Sequence, residues 1–108
     1  MSKKDPKKSK VQPMLRNSAR KKYVLKLFVT GNMPNSTRAI KNINAICRKH
    51  LQGRYELEII DIYQQPTQAI IEDIIAAPVL IKKFPLPEER LIGDLSDHEN
   101  VLKELRIV

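Results

Sequence analysis

Two apolar segments separated by one amphipathic segment constrain the fold of this chain more than any other feature. Residues 23–30 read YVLKLFVT and residues 55–63 read YELEIIDIY, and both are rich in the β-branched and aromatic side chains that favour strands. Between them, apolar residues recur at spacings of three and four, which predicts an amphipathic helix over residues 36–52. Two strands joined by one helix imply a parallel crossover, which is right-handed in ~98% of cases.

Turn-forming residues mark the ends of this helix. Gly31 and Pro34 follow the first strand, and Asn35 or Ser36 is expected to cap the helix through a side-chain oxygen. Gly53 is expected to end it in a left-handed conformation.

The rest of the sequence predicts a short helix, a hairpin and a last helix. Pro66 suits the first turn of a helix over residues 67–75. Strands over residues 79–84 and 90–92 are joined too closely for a crossover, so we expect them to pair antiparallel. Ser96 and Glu99 have the spacing of a capping box and predict a final helix. The resulting order, βαβαββα with a mixed four-stranded sheet, is the order of the thioredoxin-like α/β fold.

The net charge is concentrated at the start of the chain. The protein has 108 residues and a net charge of +8, and residues 1–22 alone carry nine Lys or Arg against one acid. Residues 23–108 are neutral in sum, with eleven basic and eleven acidic residues. The first segment has too few apolar side chains to offset the entropy lost on ordering it. We therefore expect a disordered basic tail over residues 1–22 and one folded domain over residues 23–108.

Length and apolar pattern argue against several classes of protein. A chain of 108 residues fits one domain, which disfavours an enzyme with a separate cofactor-binding half. No apolar run reaches the ~18 residues that span a membrane, and the pattern of a signal peptide is absent. The single cysteine, Cys47, agrees with a reducing compartment, so we expect a cytoplasmic protein.

The predicted fold carries no recognisable catalytic group. Thioredoxins use a cysteine pair at the start of the first helix, where this chain reads GNMPNS over residues 31–36. Ser36 could activate a bound thiol, as in some glutathione transferases, but a helix start favours serine as a cap, and those enzymes have a second domain. Cys47 and His50 would supply two of the four ligands of a structural zinc site. We expect no enzyme activity, no cofactor and no metal.

Short motifs along the chain resemble the KaiB family of circadian clock proteins. The most specific are a Gly-Asn-x-Pro-Asn-Ser turn at residues 31–36 and an Ile-Gly-Asp-Leu-Ser turn at residues 92–96. Further matches are YVLKLFV at residues 23–29, Arg38-Ala39, Ile60-Asp61 and Ala77-Pro78. The resemblance runs from residue 23 to the end of the chain. It implies a thioredoxin-like protein that binds other proteins and is not an enzyme.

The resemblance also implies a set of partners. KaiB proteins dock on the N-terminal ATPase ring of KaiC, a RecA-like hexamer, and in cyanobacteria they sequester KaiA and displace a sensor histidine kinase. A KaiC-like ATPase is therefore the expected partner, with a KaiA-like protein or a histidine kinase pathway as further ones, in circadian timing or stress adaptation. Family members switch between a tetramer with a rearranged C-terminal half and a thioredoxin-like monomer. A homo-oligomer, dimer or tetramer, in equilibrium with the monomer is expected.

The expected partner-binding surface includes positions that depart from the family. Glu58 and Asp73 stand where the family often has lysine, and Glu56 where it often has alanine. Reversing charge implies either a partner with a compensating basic surface or a different partner, unless these are ordinary solvated positions. The residues that we assign to partner binding are Arg38, Tyr55, Glu56, Glu58, Asp73, Lys82 and Arg90.

Other residues bear on fold switching. Glu104 and Arg106 stand where the family often has Gly and Asp, and both favour a helix, because Gly costs ~1 kcal/mol in a helix interior and a cation complements a helix C-terminus. We therefore expect this chain to rest in the thioredoxin-like state more than its cyanobacterial relatives. Pro78 is expected to be cis, as at the matching position of thioredoxins. The residues that we assign to the conformational switch are Pro78, Pro85, Pro87, Gly93, Glu104 and Arg106.

A nucleic-acid-binding module is the alternative function. The nine cations of the tail could release counterions from a phosphate backbone. The tail lacks the interleaved aromatic residues that stack on single strands, so a tail that only aids solubility is favoured. A glutathione-type enzyme is the least favoured alternative.

Overall fold

The computed structural model of the chain describes residues 22–107. The predicted disordered tail, residues 1–22, lies outside the described residues except for Lys22. The elements, in chain order, are β1 (Tyr23–Val29), α1 (Pro34–His50), β2 (Tyr55–Asp61), α2 (Pro66–Ile71), β3 (Val79–Phe84), β4 (Glu89–Ile92) and α3 (His98–Glu104).

The four strands form one mixed sheet in the order β2-β1-β3-β4. β1 and β2 are parallel, and β3 is antiparallel to both β1 and β4. The predicted parallel pair, the predicted hairpin and the thioredoxin-like element order are all confirmed.

Apolar side chains cover the two faces of the sheet unequally. The larger cluster joins β1 to α1 and α3 through residues such as Leu27, Ile43 and Leu105, each fully buried. The smaller cluster lies on the opposite face, where Phe28 and Ile81 are fully buried. Ile74, in the segment after α2, packs against this cluster, so we call this side of the sheet the α2 face. Because α2 itself has no buried residue, the cover is incomplete.

The structure corrects the predicted start of α1. The helix begins at Pro34 with Met33 as its N-cap, and no side chain caps it. The side chain of Ser36 is fully buried and accepts a hydrogen bond from the backbone N–H of Thr30 at 3.0 Å. Ser36 therefore joins α1 to the end of β1 instead of capping the helix. Gly53 has the predicted left-handed conformation, with φ of +79°, although α1 ends earlier, at His50.

The two later helices also differ from the prediction. α2 ends at Ile71, and Asp73 follows in the left-handed region with φ of +58°, which aspartate tolerates better than most residues. The capping box is wrong by one residue, because the N-cap of α3 is Asp97, whose Oδ1 accepts from the N–H of Asn100 at 3.1 Å. Arg106 lies beyond α3 with φ of +59°, so it is not part of the helix.

Backbone geometry bears out the expectation for Pro78. The peptide bonds before Pro78, Pro85 and Pro87 are all cis. Among residues 22–107, no helix combines the length and apolar character needed to cross a membrane.

Candidate protein-binding surface

The α2 face exposes an unusual amount of large apolar side chain. Ile70 and Ile71 of α2 are 78% and 67% exposed, and Ile75, just after the helix, is 92% exposed. Ile92 of β4 is 76% exposed and is paired with Val79, a residue of the α2-face core. Contiguous apolar patches on the surface of a small domain mark binding sites.

A group of ion pairs lies beside these isoleucines. The carboxylate of Glu72 contacts the Lys83 ammonium at 3.1 Å, the Arg90 guanidinium at 3.6 Å and the Lys26 ammonium at 3.9 Å. Glu88 adds contacts of 3.3 Å to Lys83 and 3.9 Å to Arg90. We call these five residues the Glu72 cluster.

The Glu72 cluster attaches the segment after α2 to the sheet. Its three cations come from β1, β3 and β4, and the Glu72 side chain between them is only 11% exposed. The hydrogen bond from Lys83 to Glu72 raises the pKa of that ammonium above its ordinary value. Glu72 was not among the residues predicted to have a role. Strand alternation could have indicated it, because Lys26, Lys83 and Arg90 fall on one face of the predicted sheet.

Four of the predicted partner-binding residues lie on this same side. Glu56 and Glu58 are exposed on β2 and pair with β1 residues of the α2 face, and Asp73 is exposed directly after α2. Glu56 also contacts Lys22 at 2.7 Å, with both side chains more than half exposed. Arg90 is part of the Glu72 cluster and is 39% exposed. The structure thus brings together Glu56, Glu58, Asp73 and Arg90 with apolar residues that the sequence analysis had not selected.

The other three predicted residues lie elsewhere. Arg38 is on α1, on the opposite side of the sheet, and Tyr55 is half-buried against the larger core cluster. Lys82 is a correction, because its side chain is fully buried and donates from Nζ to the Leu105 carbonyl at 3.3 Å. Adjacent strand residues point to opposite faces, so Lys83 joins the α2 face while Lys82 points beneath α3.

Within residues 22–107, contacts of the Lys82, Tyr23 and Arg106 side chains hold the segment after α3, and we call these contacts the C-terminal clasp. Lys82 bonds the Leu105 carbonyl, the Tyr23 hydroxyl donates to the Arg106 carbonyl at 3.0 Å, and Arg106 Nε contacts Glu89 at 3.2 Å. The clasp connects residues after α3 to β1, β3 and β4, and the Leu105 side chain beneath it is fully buried.

The predicted switch residues lie around this region. Glu104 is the last residue of α3, and Arg106 belongs to the clasp. Gly93, with φ of +118°, donates its N–H to the Pro78 carbonyl at 3.0 Å, which joins the end of β4 to the start of β3. Pro85 and Pro87 lie in the loop between β3 and β4.

A second polar contact joins α1 to the loop before α3. Arg38 Nε donates to Asp94 Oδ2 at 3.0 Å, and the Asn42 side chain donates to the Asp94 carbonyl at 2.8 Å. The N–H of Ser96 donates to Asp94 Oδ1 at 3.1 Å. The hydrogen bond from Arg38, followed by that from Ser96, lowers the pKa of the Asp94 carboxyl below its usual value of 3.8.

Substituting Asp94 with asparagine should reduce the acid sensitivity of the protein. A carboxyl whose pKa is lower in the folded state stabilises the fold above its unfolded-state pKa, and this contribution is lost as the pH falls through the folded-state pKa. We expect wild type to lose stability more steeply than D94N below about pH 4 in urea titrations. Arg38→Gln should flatten the profile in the same way. An R38Q profile as steep as that of wild type would contradict this role of the ion pair.

Metal-binding groups and the thiol of Cys47 were the chemical groups to locate in the described residues. Among residues 22–107, no group of three His, Cys, Asp or Glu side chains is arranged to hold a metal ion. Cys47 is buried, and burial raises the pKa of its thiol to about 12, so it stays protonated at neutral pH. A shallow cleft of about 240 Å³ at the start of α1 is lined by Thr30, Met33, Pro34, Asn35 and Ala77.

The chain is similar to known proteins in sequence and in fold. The model of the KaiB domain family matches residues 26–107. The circadian clock oscillator protein KaiB of Synechococcus elongatus is 51% identical over 85 residues, which cover 79% of this chain and 83% of that protein. The protein of the same name from Nostoc sp. is 50% identical over 86 residues, covering 80% of each chain.

Two solved structures show the likeness in fold. The N-terminal domain of Synechococcus elongatus SasA has a TM-score of 0.67 and 24% identity, covering 92% of this chain and 93% of that one. The thioredoxin Deadhead of Drosophila melanogaster has a TM-score of 0.66 and 12% identity, covering 86% and 88%. At these identities the likeness concerns the fold alone.

Proposed function

Because this chain belongs to the KaiB family of circadian clock proteins, we propose that it is a non-catalytic adaptor that binds a KaiC-like ATPase ring and modulates its output. The cellular setting is circadian timing or adaptation to stress. The observation that carries the proposal is the α2 face, where exposed isoleucines lie beside charged residues on the scaffold of this family.

The α2 face has the composition of a protein interface. Burying an exposed isoleucine against a partner contributes roughly 1.5–3 kcal/mol, so Ile70 and Ile75 together could supply much of a micromolar affinity. Protein interfaces combine such an apolar centre with a polar rim. The exposed carboxylates of Glu56, Glu58 and Asp73 would form that rim and would steer a partner with basic residues.

The C-terminal clasp supports a resting state of the thioredoxin-like kind. It adds polar contacts to the segment after α3, and Glu104, the last residue of α3, is a better helix former than the glycine that is common in the family. We therefore propose that this chain populates the partner-binding fold more than its cyanobacterial relatives, with any homo-oligomer in equilibrium with it. A further proposed partner is a KaiA-like protein or a component of a histidine kinase pathway. We propose that the protein acts in the cytoplasm and needs no cofactor.

Binding of the full chain to the KaiC-like ATPase of the same organism tests the proposal. We expect light scattering after size exclusion to show a complex in the presence of ATP, and the ATPase rate of the ring to change. The double variant Ile70→Asp, Ile75→Asp should weaken binding by at least ~30-fold, because two apolar contacts are lost and carboxylates are buried in their place.

A control variant introduces a carboxylate on the other side of the sheet. Ala45→Asp places a carboxylate on the exposed side of α1 and should bind within about twofold of wild type. A full chain that forms no complex with the ring would refute the adaptor function. A double variant that binds like wild type would refute the α2 face as its site.

A further inference from the structure

All the acidic residues of the chain except Asp5 lie in the second half of the sequence. Residues 6–55 contain thirteen Lys or Arg and no Asp or Glu, whereas residues 56–108 contain eleven acids and five bases. The folded domain is neutral only as a sum. α1 contains basic residues and no acid, whereas β4 and α3 contain both, so the basic excess of the domain lies on α1.

α1 concentrates the basic excess on its outer side. Lys41, Arg48 and Lys49 are exposed, while the inward side of the helix is buried in the larger core cluster. Lys41 and Arg48 are seven residues apart, which places them on the same side of the helix and ~10 Å apart along its axis. Arg54 follows the helix, with its guanidinium 5.8 Å from the centre of the Tyr23 ring. We call Lys41, Arg48, Lys49 and Arg54 the α1 basic face.

The charges of this face are not neutralised by neighbouring carboxylates. Within the part of the chain that the structure describes, no ion pair engages Lys41, Arg48 or Lys49. The cations of the α2 face differ, because Lys83 and Arg90 are both paired with Glu72 and Glu88. The positive charges of the α1 basic face are therefore not compensated by ion pairs among the described residues.

The basic sequence before β1 joins the domain beside this face. The N–H of Tyr23 donates to the carbonyl of Arg54 at 2.9 Å, so the chain enters the fold next to the loop that follows α1. Residues 1–22, which precede this point, carry nine further Lys or Arg. Lys22, the last of these nine, is therefore next in sequence to the residue that bonds Arg54 of the α1 basic face.

We propose that the α1 basic face binds the phosphate backbone of duplex nucleic acid without reading its sequence. A protein partner would need an apolar centre, and the exposed residues of α1 include no large apolar side chain after the helix begins. α1 also has no aromatic residue on which the bases of a single strand could stack. A polar, positively charged surface of this kind fits the phosphates of a duplex.

This site is separate from the α2 face. α1 and α2 cover opposite faces of the sheet, so a duplex on the α1 basic face leaves the exposed isoleucines free. The protein could therefore bind nucleic acid and its protein partner at the same time. The two binding sites can be tested in separate experiments, so one proposal can be refuted without the other.

Fluorescence anisotropy of the full chain with a short labelled DNA duplex of mixed sequence tests this site. We expect the logarithm of affinity to fall linearly with the logarithm of salt between ~50 and ~200 mM. The double variant Lys41→Glu, Arg48→Glu should bind at least ~10-fold more weakly and lower the magnitude of that slope by about 2. Both residues are exposed, so circular dichroism should show the fold unchanged.

Two controls separate this site from general charge. The first control is Lys103→Glu on α3, which changes the net charge as much as Lys41→Glu does. Lys103→Glu should alter the affinity for the duplex by no more than about twofold, and Lys41→Glu should alter it by more. Poly-L-glutamate at equal charge should compete poorly with the duplex. The proposal is overturned if the full chain does not bind the duplex at low salt, or if the double variant leaves the salt dependence of the affinity unchanged. Competition from poly-L-glutamate as strong as that from unlabelled duplex would overturn it too.

Discussion

Replacing Leu105 with alanine should lower the free energy of unfolding by about 2–5 kcal/mol, as for other large-to-small substitutions in cores. The Leu105 side chain is fully buried in the larger core cluster, and its carbonyl accepts the bond from Lys82. Truncation would leave a cavity between α3 and the sheet. Urea unfolding followed by circular dichroism measures the change.

Leu86→Ala is the matched control for this substitution. Leu86 is 74% exposed in the loop between β3 and β4, so its truncation should cost less than about 0.5 kcal/mol. Equal losses for the two variants would show that residues after α3 do not pack on the sheet in the resting protein. The thioredoxin-like resting state would then be wrong.

Lys82→Glu should be the most destabilising single charge change in the domain. The buried ammonium of Lys82 points at the Leu105 carbonyl, next to the end of α3, where carbonyl groups already concentrate negative charge. A carboxylate at this position would be buried without compensation, at a cost of about 3–5 kcal/mol. For a domain of this size we expect the melting temperature to fall by about 12 °C or more.

Lys82→Met isolates the effect of the charge, because methionine keeps an unbranched apolar chain without the ammonium. Replacing a buried cation by an apolar group of similar length is tolerated far better than reversing its sign, so K82M should melt well above K82E. If K82E melted within about 2 °C of K82M, the position would have access to water, and the clasp would not hold the end of the chain.

The order of elements was predictable because each signal for it is local. The apolar run of β1, the helical spacing of α1 and the short connection after β3 each allow one reading, and together they specify the parallel pair and the hairpin. Membership of the family followed from two turn motifs that occupy the loops before α1 and before α3.

The helix caps were not predictable at the level of single atoms. Ser96 and Asp97 are adjacent side chains with suitable oxygens, and which of them caps α3 depends on Asp94, whose carboxylate takes the Ser96 N–H. Serine is a residue type that often caps helices, but the Ser36 hydroxyl oxygen instead accepts a hydrogen bond from the N–H of Thr30, just after β1. Such choices depend on contacts between elements that local spacing does not reveal.

The surface residues were predicted only in part, for two different reasons. Lys82 and Lys83 are adjacent in β3, so one had to point inward, but only the packing of α3 decides which. The α1 basic face, in contrast, was visible in the sequence as a stretch of fifty residues without an acid. Summing charge over the whole domain concealed it.

Hydrogen exchange on the full chain, alone and bound to the KaiC-like ATPase ring, tests the adaptor function most directly. The account predicts slow exchange for the amides of α3 in both states and new protection in α2 and residues 72–76 when the ring is bound. Protection that appears only on α1, or no change on the α2 face in a mixture saturated with the ring, would contradict it.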